Sequence, residues 1–424
     1  MRAALWFLAL FGMAVAVALF AGNNQGTITV FWPPYRVDLS LNLVVLLLAL
    51  LFFVMHVALR ALAALFAIPG QARRWRLQHQ ERAMHVSLLE SHAHLIAGRF
   101  IRARKAADMV LSRENTVARS GELLPYAGRL RVLSHLLAAE SAHTLQDKAS
   151  REEHFRLALD EALRRDTRET QEGLQLRAAR WALDDHDAAQ ALQWLDELPL
   201  GAGRRTIALR LRLKAARMAH QTLGALETAR LLAKHRAFSP VAAQGILRGL
   251  ALELLNAAHD PDQLQTAWGQ LEPLEQAMPE VATQAAQKML QLGGDVNLAR
   301  TWLLPVWEQM SHAGALTQGQ VVNLIRVLEN SFLQGDAVPD PAWLTRIEKT
   351  QMANPGDAPL QYLAGIACMR LQLWGKAQQL LKQAMPRLQD PTLQRSGWLA
   401  LAELAERKGE VTAATQAWRQ AAKS

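Results

Sequence analysis

From Ala3 to Ala21 the chain carries no polar side chain. Nineteen residues of helix at about 1.5 Å each reach across a hydrocarbon core of about 30 Å. A second apolar run follows, unbroken from Leu43 to Met55. Two such runs close together constrain the fold more than any other feature, because a soluble domain rarely concentrates so much apolar sequence at one end. A cleaved signal peptide is the alternative for the first run, with Ala16-Val17-Ala18 as its cleavage site. The run exceeds the usual apolar core of a signal, Arg2 is the only basic side chain before it, and a second run follows. An uncleaved two-span anchor is therefore expected: transmembrane helix 1 over 1–21, a short periplasmic loop over 22–40, and transmembrane helix 2 with an interfacial extension over 41–68.

The loop has turn-forming Gly-Asn-Asn, a β-like Thr27–Phe31 stretch and a Pro-Pro break. Trp32 and Tyr35 suit the headgroup layer, where amphipathic rings collect. About twenty residues of span place the exit of the second helix near Arg60. A free arginine at the bilayer centre costs at least about 2.5 kcal/mol, so an interfacial Arg60 is the cheaper arrangement. His56 lies four residues earlier on the same face, where the pair could also touch a partner span or a headgroup. Pro69-Gly70 is expected to end this helix.

The formal net charge is +9. Between Arg73 and Lys105 eight Lys or Arg residues face only Glu81 and Glu90. The 69–82 segment reads as a basic juxtamembrane stretch, with Arg73, Arg74, Trp75 and Arg76 on anionic lipid headgroups. The loop between the runs is nearly neutral, so the positive-inside rule puts both termini and the bulk of the chain in the cytoplasm. No aromatic-basic reading surface accompanies the charge, and no nucleic acid is expected as a partner.

From 83 to 424 the composition shifts to Ala, Leu, Gln, Glu and Arg in segments broken by Gly, Pro, Asp and Asn, which reads as all-α. Cys368 is the only cysteine, so neither an internal disulfide nor a cysteine metal cluster is available. The clearest order lies in 359–424. Trp398, Ala402, Gly409, Ala414, Trp418 and Ala421 fall at tetratricopeptide spacing, and Gly365, Ala377, Leu381 and Ala384 form the unit before it. Ala377, Leu381 and Ala384 precede Ala414, Trp418 and Ala421 by 37 residues, against an ideal period of about 34. Small residues let two antiparallel helices approach, and bulky ones fill the space toward the next pair. Earlier units, such as Gly98, Phe100 and Ala103 or Ala139, Ala142, Phe155 and Ala158, drift in spacing. The expected class is all-α, two transmembrane helices followed by a tetratricopeptide-like α-solenoid of at most about ten hairpins.

No catalytic pattern holds. Gly201-Ala202-Gly203-Arg204-Arg205 lacks a third glycine and a preceding strand, and no phosphate loop, His-Glu-x-x-His or Gly-x-Ser-x-Gly is present. Histidines 79, 85, 92 and 94 cluster beside the second span. His79, His85 and His92 are the candidates for haem ligation, although solvated surface histidines on a polar helix face are the simpler reading. No cofactor follows firmly from the residues.

The stretches Leu19–Phe52, Leu95–Asp108, Pro359–Met385 and Trp398–Ala422 together resemble the HemY family. The resemblance covers the layout of two N-terminal spans and a tetratricopeptide region, and is most specific over 1–110. It implies a bacterial inner-membrane protein associated with late protohaem IX synthesis, its repeats serving as an interaction module for late haem-synthesis enzymes. A flavin-dependent protoporphyrinogen oxidase shares the family's name but not its sequence, and the flavin fingerprint is absent here. The expectation is a non-catalytic membrane-anchored scaffold. A haem or porphyrin carrier using the juxtamembrane histidines, and a tetratricopeptide assembly factor for other envelope enzymes, stay open.

Overall fold

The computed structural model describes residues 11–18, 22, 26–122, 124–163, 168–310, 316–334 and 341–423. The chain divides into two compact units, Met1–Thr170 and Gln171–Ser424.

In the first unit, strands β1 (Thr27–Trp32) and β2 (Tyr35–Ser40) pair antiparallel with Thr29 opposite Asp38 and Trp32 opposite Tyr35. The Thr29 hydroxyl donates to Asp38 Oδ1 at 2.6 Å, and the Arg36 guanidinium lies over the Phe31 ring. Ser40 ends the hairpin and also caps the next helix, its Oγ accepting from the Leu43 amide at 3.3 Å. That helix, α1 (Leu41–Ile96), runs for 56 residues, about 84 Å. Among the described residues one segment, Leu41–Ala63 at its start, is long and apolar enough to cross a membrane, and its apolar window is unburied. Of the expected first span, residues 11–18 are helical; 1–10 and 19–21 lie outside the described residues.

Pro69-Gly70 does not end the helix, contrary to the expectation from sequence. Proline removes one amide donor and crowds the carbonyl four residues back, which bends a helix without necessarily stopping it. The helix is held further on. Helix α2 (Phe100–Arg119) folds back along the end of α1, with Met84, Val110 and Val117 at the core. Ser91 Oγ donates to the Ala103 carbonyl at 2.8 Å, and Arg113 Nη1 donates to the Ala83 carbonyl and Ser87 Oγ, each at 2.8 Å. Helices α3 (Ala127–Thr144) and α4 (Lys148–Ala162) form the next hairpin, meeting at the buried alanines 139, 142 and 158.

The second unit contains α5 (Arg168–Asp184, entering from the first), α6 (Ala188–Asp196), α7 (Thr206–Met218), α8 (Thr222–Lys234), α9 (Pro240–Asn256), α10 (Pro261–Gly269), α11 (Pro279–Gln291), α12 (Val296–Met310), α13 (Gln318–Leu333), α14 (Pro341–Ala353), α15 (Ala358–Arg370), α16 (Trp374–Ala384), α17 (Pro391–Arg407) and α18 (Val411–Lys423). Most successive helices pack on each other, and α9, α11, α13, α15 and α17 also pack each on the next, so that they form one layer. One apolar core runs from Ala216 to Ala417 and includes the stacked rings of Trp268 and Trp302, 4.7 Å apart.

A shared turn joins the helices. Gly98, Gln146, His186, His220, Arg236, Gly293, Gln372 and Gly409 all take φ between +54° and +78°. In each case the following amide bonds the carbonyl five residues back at 2.8–2.9 Å, as in Asp147 to Ala142 and Leu373 to Cys368. This left-handed cap satisfies carbonyls that the helix end would otherwise leave unpaired.

Candidate interaction surfaces

The residues expected at the membrane fall on two elements. Trp32 and Tyr35 face each other at the hairpin tip and are 75% and 72% exposed, so both rings are available to an interface. Arg60 lies within the apolar Leu41–Ala63 segment, while Arg73, Arg74, Trp75 and Arg76 lie further along α1. Along a helix axis Arg73 is about 15 Å past Ala63, since ten residues separate them.

The juxtamembrane histidines are distributed along α1. His79 stacks on Trp75 with ring centroids 5.5 Å apart, and His85 lies against Tyr126 at 5.4 Å. The Tyr126 hydroxyl donates to Glu81 Oε1 at 2.8 Å; burial, then the adjacent carboxylate, push its pKa up to about 12. His92 is exposed and about 10 Å along the helix from His85. Among the described residues no group of three or more His, Cys, Asp or Glu is arranged to hold a metal ion.

A polar cluster that sequence reasoning missed ties α2, α3 and α4 together. Arg131 on α3 bridges the buried Glu114 of α2 at 3.3 Å and Glu161 of α4 at 3.2 Å. Beside it His135 Nδ1 and His154 Nδ1 are 3.1 Å apart, so one ring donates and the other accepts. Burial, then the neighbouring His154 and Arg131, lower the His135 pKa to about 4. Asp147 caps α4, and the Ser150 hydroxyl and amide, followed by Arg104, hold its carboxyl below the usual range.

In the second unit the repeat residues named from sequence lie where helices meet. Ala377, Leu381, Ala384 and Ala402 are fully buried, Ala414 and Ala421 nearly so, and Gly409 adopts the left-handed turn. A Cβ on Gly365 would lie 2.7 Å from Leu381 Cγ, so glycine is what permits α15 and α16 to cross this closely. Trp398 is half-buried, and Trp418, 45% exposed, donates from Nε1 to Glu406 at 2.7 Å.

Two buried polar anchors had no sequence signature. Arg300 of α12 donates to Ser331 Oγ at 3.1 Å and to the Ser331 carbonyl at 2.6 Å, its guanidinium over Phe332. Tyr362 of α15 donates to Glu329 of α13 at 2.5 Å, and burial raises the Glu329 pKa despite the hydrogen bonds it accepts. Both side chains tie neighbouring helices together. Residues of α9, α11 and α13 line a polar cleft of about 360 Å³.

These features define a class: a tetratricopeptide-like helical-repeat protein whose long helix α1 begins with a segment able to cross a membrane. Residues 26–146 match the family model described as HemY protein N-terminus, so this part of the chain is similar to a HemY N-terminal region. No curated protein matches the chain. Among solved structures it is similar to the TPR domain of P58(IPK), at 12% identity over 77% of this chain and 99% of that one, with a TM-score of 0.22. It is also similar to the APC/C hetero-tetramer Cut9-Hcn1, at 14% identity over 79% and 65%, with a TM-score of 0.27. A circular tandem repeat protein with novel repeat topology matches at 13% identity over 81% and 96%, with a TM-score of 0.23. At such TM-scores these similarities carry no weight, and the repeat class rests on the helix pairing described above.

Proposed function

We propose that the protein is a non-catalytic scaffold of the bacterial inner membrane that gathers late haem-synthesis enzymes, or their products, at the cytoplasmic face. The observation that carries this reading is the combination, in one chain, of a region similar to the HemY N-terminus with stacked helical hairpins. In this reading the chain crosses the membrane twice, with the β1–β2 hairpin outside and both termini inside. The basic flank after the Leu41–Ala63 segment supports that orientation. Trp32, Tyr35, Arg60 and the Arg73–Arg76 group contact the interface. Holding partners on one surface raises their effective concentration to the millimolar range without any chemistry.

Cross-linking of native membranes followed by purification of the full chain in detergent and mass spectrometry tests it. Enrichment of a late haem-synthesis enzyme is expected, and its consistent absence sinks the scaffold reading for this pathway. A reporter fused to the C-terminus checks orientation: a periplasmic signal overturns the topology.

A further inference from the structure

In the first unit two imidazoles meet among carboxylates. His135 of α3 and His154 of α4 approach through Nδ1, 3.1 Å apart, and both rings are half-buried. Asp108 Oδ1 of α2 lies 4.0 Å from His154 Nε2, the far nitrogen of that ring. Glu114 and Glu161 join the network through Arg131, which stands one helical turn before His135. Among these contacts three carboxylates face one guanidinium, a surplus of negative charge. Glu114 is 3% exposed, and its Oε2 has no hydrogen-bond partner among the described residues.

Two imidazole nitrogens this close are within reach of one ion. Metal–nitrogen bonds of about 2.05 Å that end on atoms 3.1 Å apart enclose about 98°, between the square-planar angle of about 90° and the tetrahedral angle of about 109°. The rings now point at each other along one line, since their centroids are 5.4 Å apart with the 3.1 Å contact between them. Each must swing by about 40° for both lone pairs to meet on one ion, and the soft second torsion of histidine allows it. Both rings then carry their proton on Nε2. Asp108 is placed to accept from His154 there, as carboxylates do behind metal-bound histidines. No proton is released overall, because each neutral ring holds one before and after.

The donor set selects the ion. Imidazole suits zinc, copper and nickel, whereas magnesium and calcium require oxygen ligands. The negative surplus offsets the charge of a dication, which is costly to place in a half-buried site without it. Two protein ligands leave the other coordination positions to water. Binding is therefore exchangeable and micromolar, weaker than the hold of a structural site with four protein ligands. One ligand comes from each helix of the hairpin, so a bound ion pins α3 to α4.

We infer that His135 and His154 bind one divalent transition-metal ion, with zinc the representative case, and that Asp108 orients His154 behind it. The site lies wholly in the first unit. It is independent of the scaffold reading, since it neither needs nor predicts a protein partner.

The test uses the full chain in detergent, freed of metal with a chelator and titrated with zinc chloride near neutral pH while calorimetry follows binding. One micromolar equivalent is expected to disappear in His135→Gln and in His154→Gln, where glutamine leaves the remaining ring a hydrogen-bond partner. The same equivalent should persist in the double variant His79→Ala with His92→Ala, whose exposed side chains belong to α1. Asp108→Asn should weaken it about tenfold, and millimolar magnesium should not displace it. Zinc at about 100 times Kd should slow hydrogen exchange of α3 and α4 about 100-fold where exchange reports opening of the hairpin. The inference is overturned if either glutamine variant takes up the full complement of zinc, if no equivalent binds more tightly than millimolar, or if zinc leaves exchange of α3 and α4 unchanged. The exchange measurement needs no substitution, so it decides the question even where a variant fails to fold. Failure here leaves the co-isolation test of the scaffold reading untouched.

Discussion

Gly365 gives the sharpest test of how closely the helices pack. A Cβ built there lies 2.7 Å from Leu381 Cγ, 2.9 Å from Cδ2 and 3.3 Å from the Leu381 amide nitrogen. Carbon contacts are comfortable at about 3.5–4.0 Å, so in Gly365→Ala the Leu381 side chain must retreat by most of an ångström. Leu381 is fully buried, so that movement has to be made inside the packed core. Overpacking of this kind costs about 1–3 kcal/mol, while alanine recovers about 1 kcal/mol of helix propensity. The expected net loss is about 1 kcal/mol, which speeds hydrogen exchange of α15 and α16 about fivefold where exchange reports the opening equilibrium. Gly249→Ala is the matched control: that Cβ meets nothing within 4 Å, so only the propensity gain applies and α9 should become more protected. The two variants should differ by about 2 kcal/mol. Exchange in Gly365→Ala that is slowed as in Gly249→Ala would refute the close crossing of α15 and α16.

Other consequences follow from single groups. The Glu329 pKa is raised by burial, so the folded protein holds a proton that the unfolded chain releases near its ordinary value of about 4.3. Stability from this group is full below that value and is lost as pH rises through the folded pKa; Glu329→Gln should remove this slope in hydrogen exchange of α13 and α15. His135 has the opposite sign: with its pKa lowered to about 4, the α3–α4 hairpin should lose stability as pH falls from about 6.5 toward 4, and an NMR titration should show His135 still neutral at pH 5.5. Gln372 carries a left-handed φ of +60°, so Gln372→Gly should raise stability by up to about 1 kcal/mol, read as a higher melting temperature.

Helical character, the apolar Leu41–Ala63 segment and the last two hairpins were legible in the sequence because each has strong local chemistry: unbroken apolar side chains, or small and bulky residues at fixed spacing. Repeat register before 359 was not, and the turns explain why. Glycine marks Gly98, Gly293 and Gly409, but Gln146, His186, His220, Arg236 and Gln372 occupy the same left-handed position without it. The turn residues are also unevenly spaced, 48 apart from 98 to 146, 40 from 146 to 186 and 34 from 186 to 220, so no single period fits. An Asp after the turn, Asp147 or Asp187, was a usable clue, because it caps the next helix. Pro69-Gly70 misled for a different reason: proline costs a helix one hydrogen bond and a bend but need not end it, and α1 runs on through both residues. The polar cleft and the Arg300 and Glu329 anchors depend on which helices become neighbours, which local pattern does not encode.

In the function proposed above, the chain gathers late haem-synthesis enzymes at the membrane through its repeats. The most direct measurement is quantitative cross-linking mass spectrometry on native membranes containing the full-length protein. Cross-links from the second unit, Gln171–Ser424, to at least one late haem-synthesis enzyme are expected. Cross-links confined to proteins of other processes, or none above an unrelated membrane protein, would contradict it.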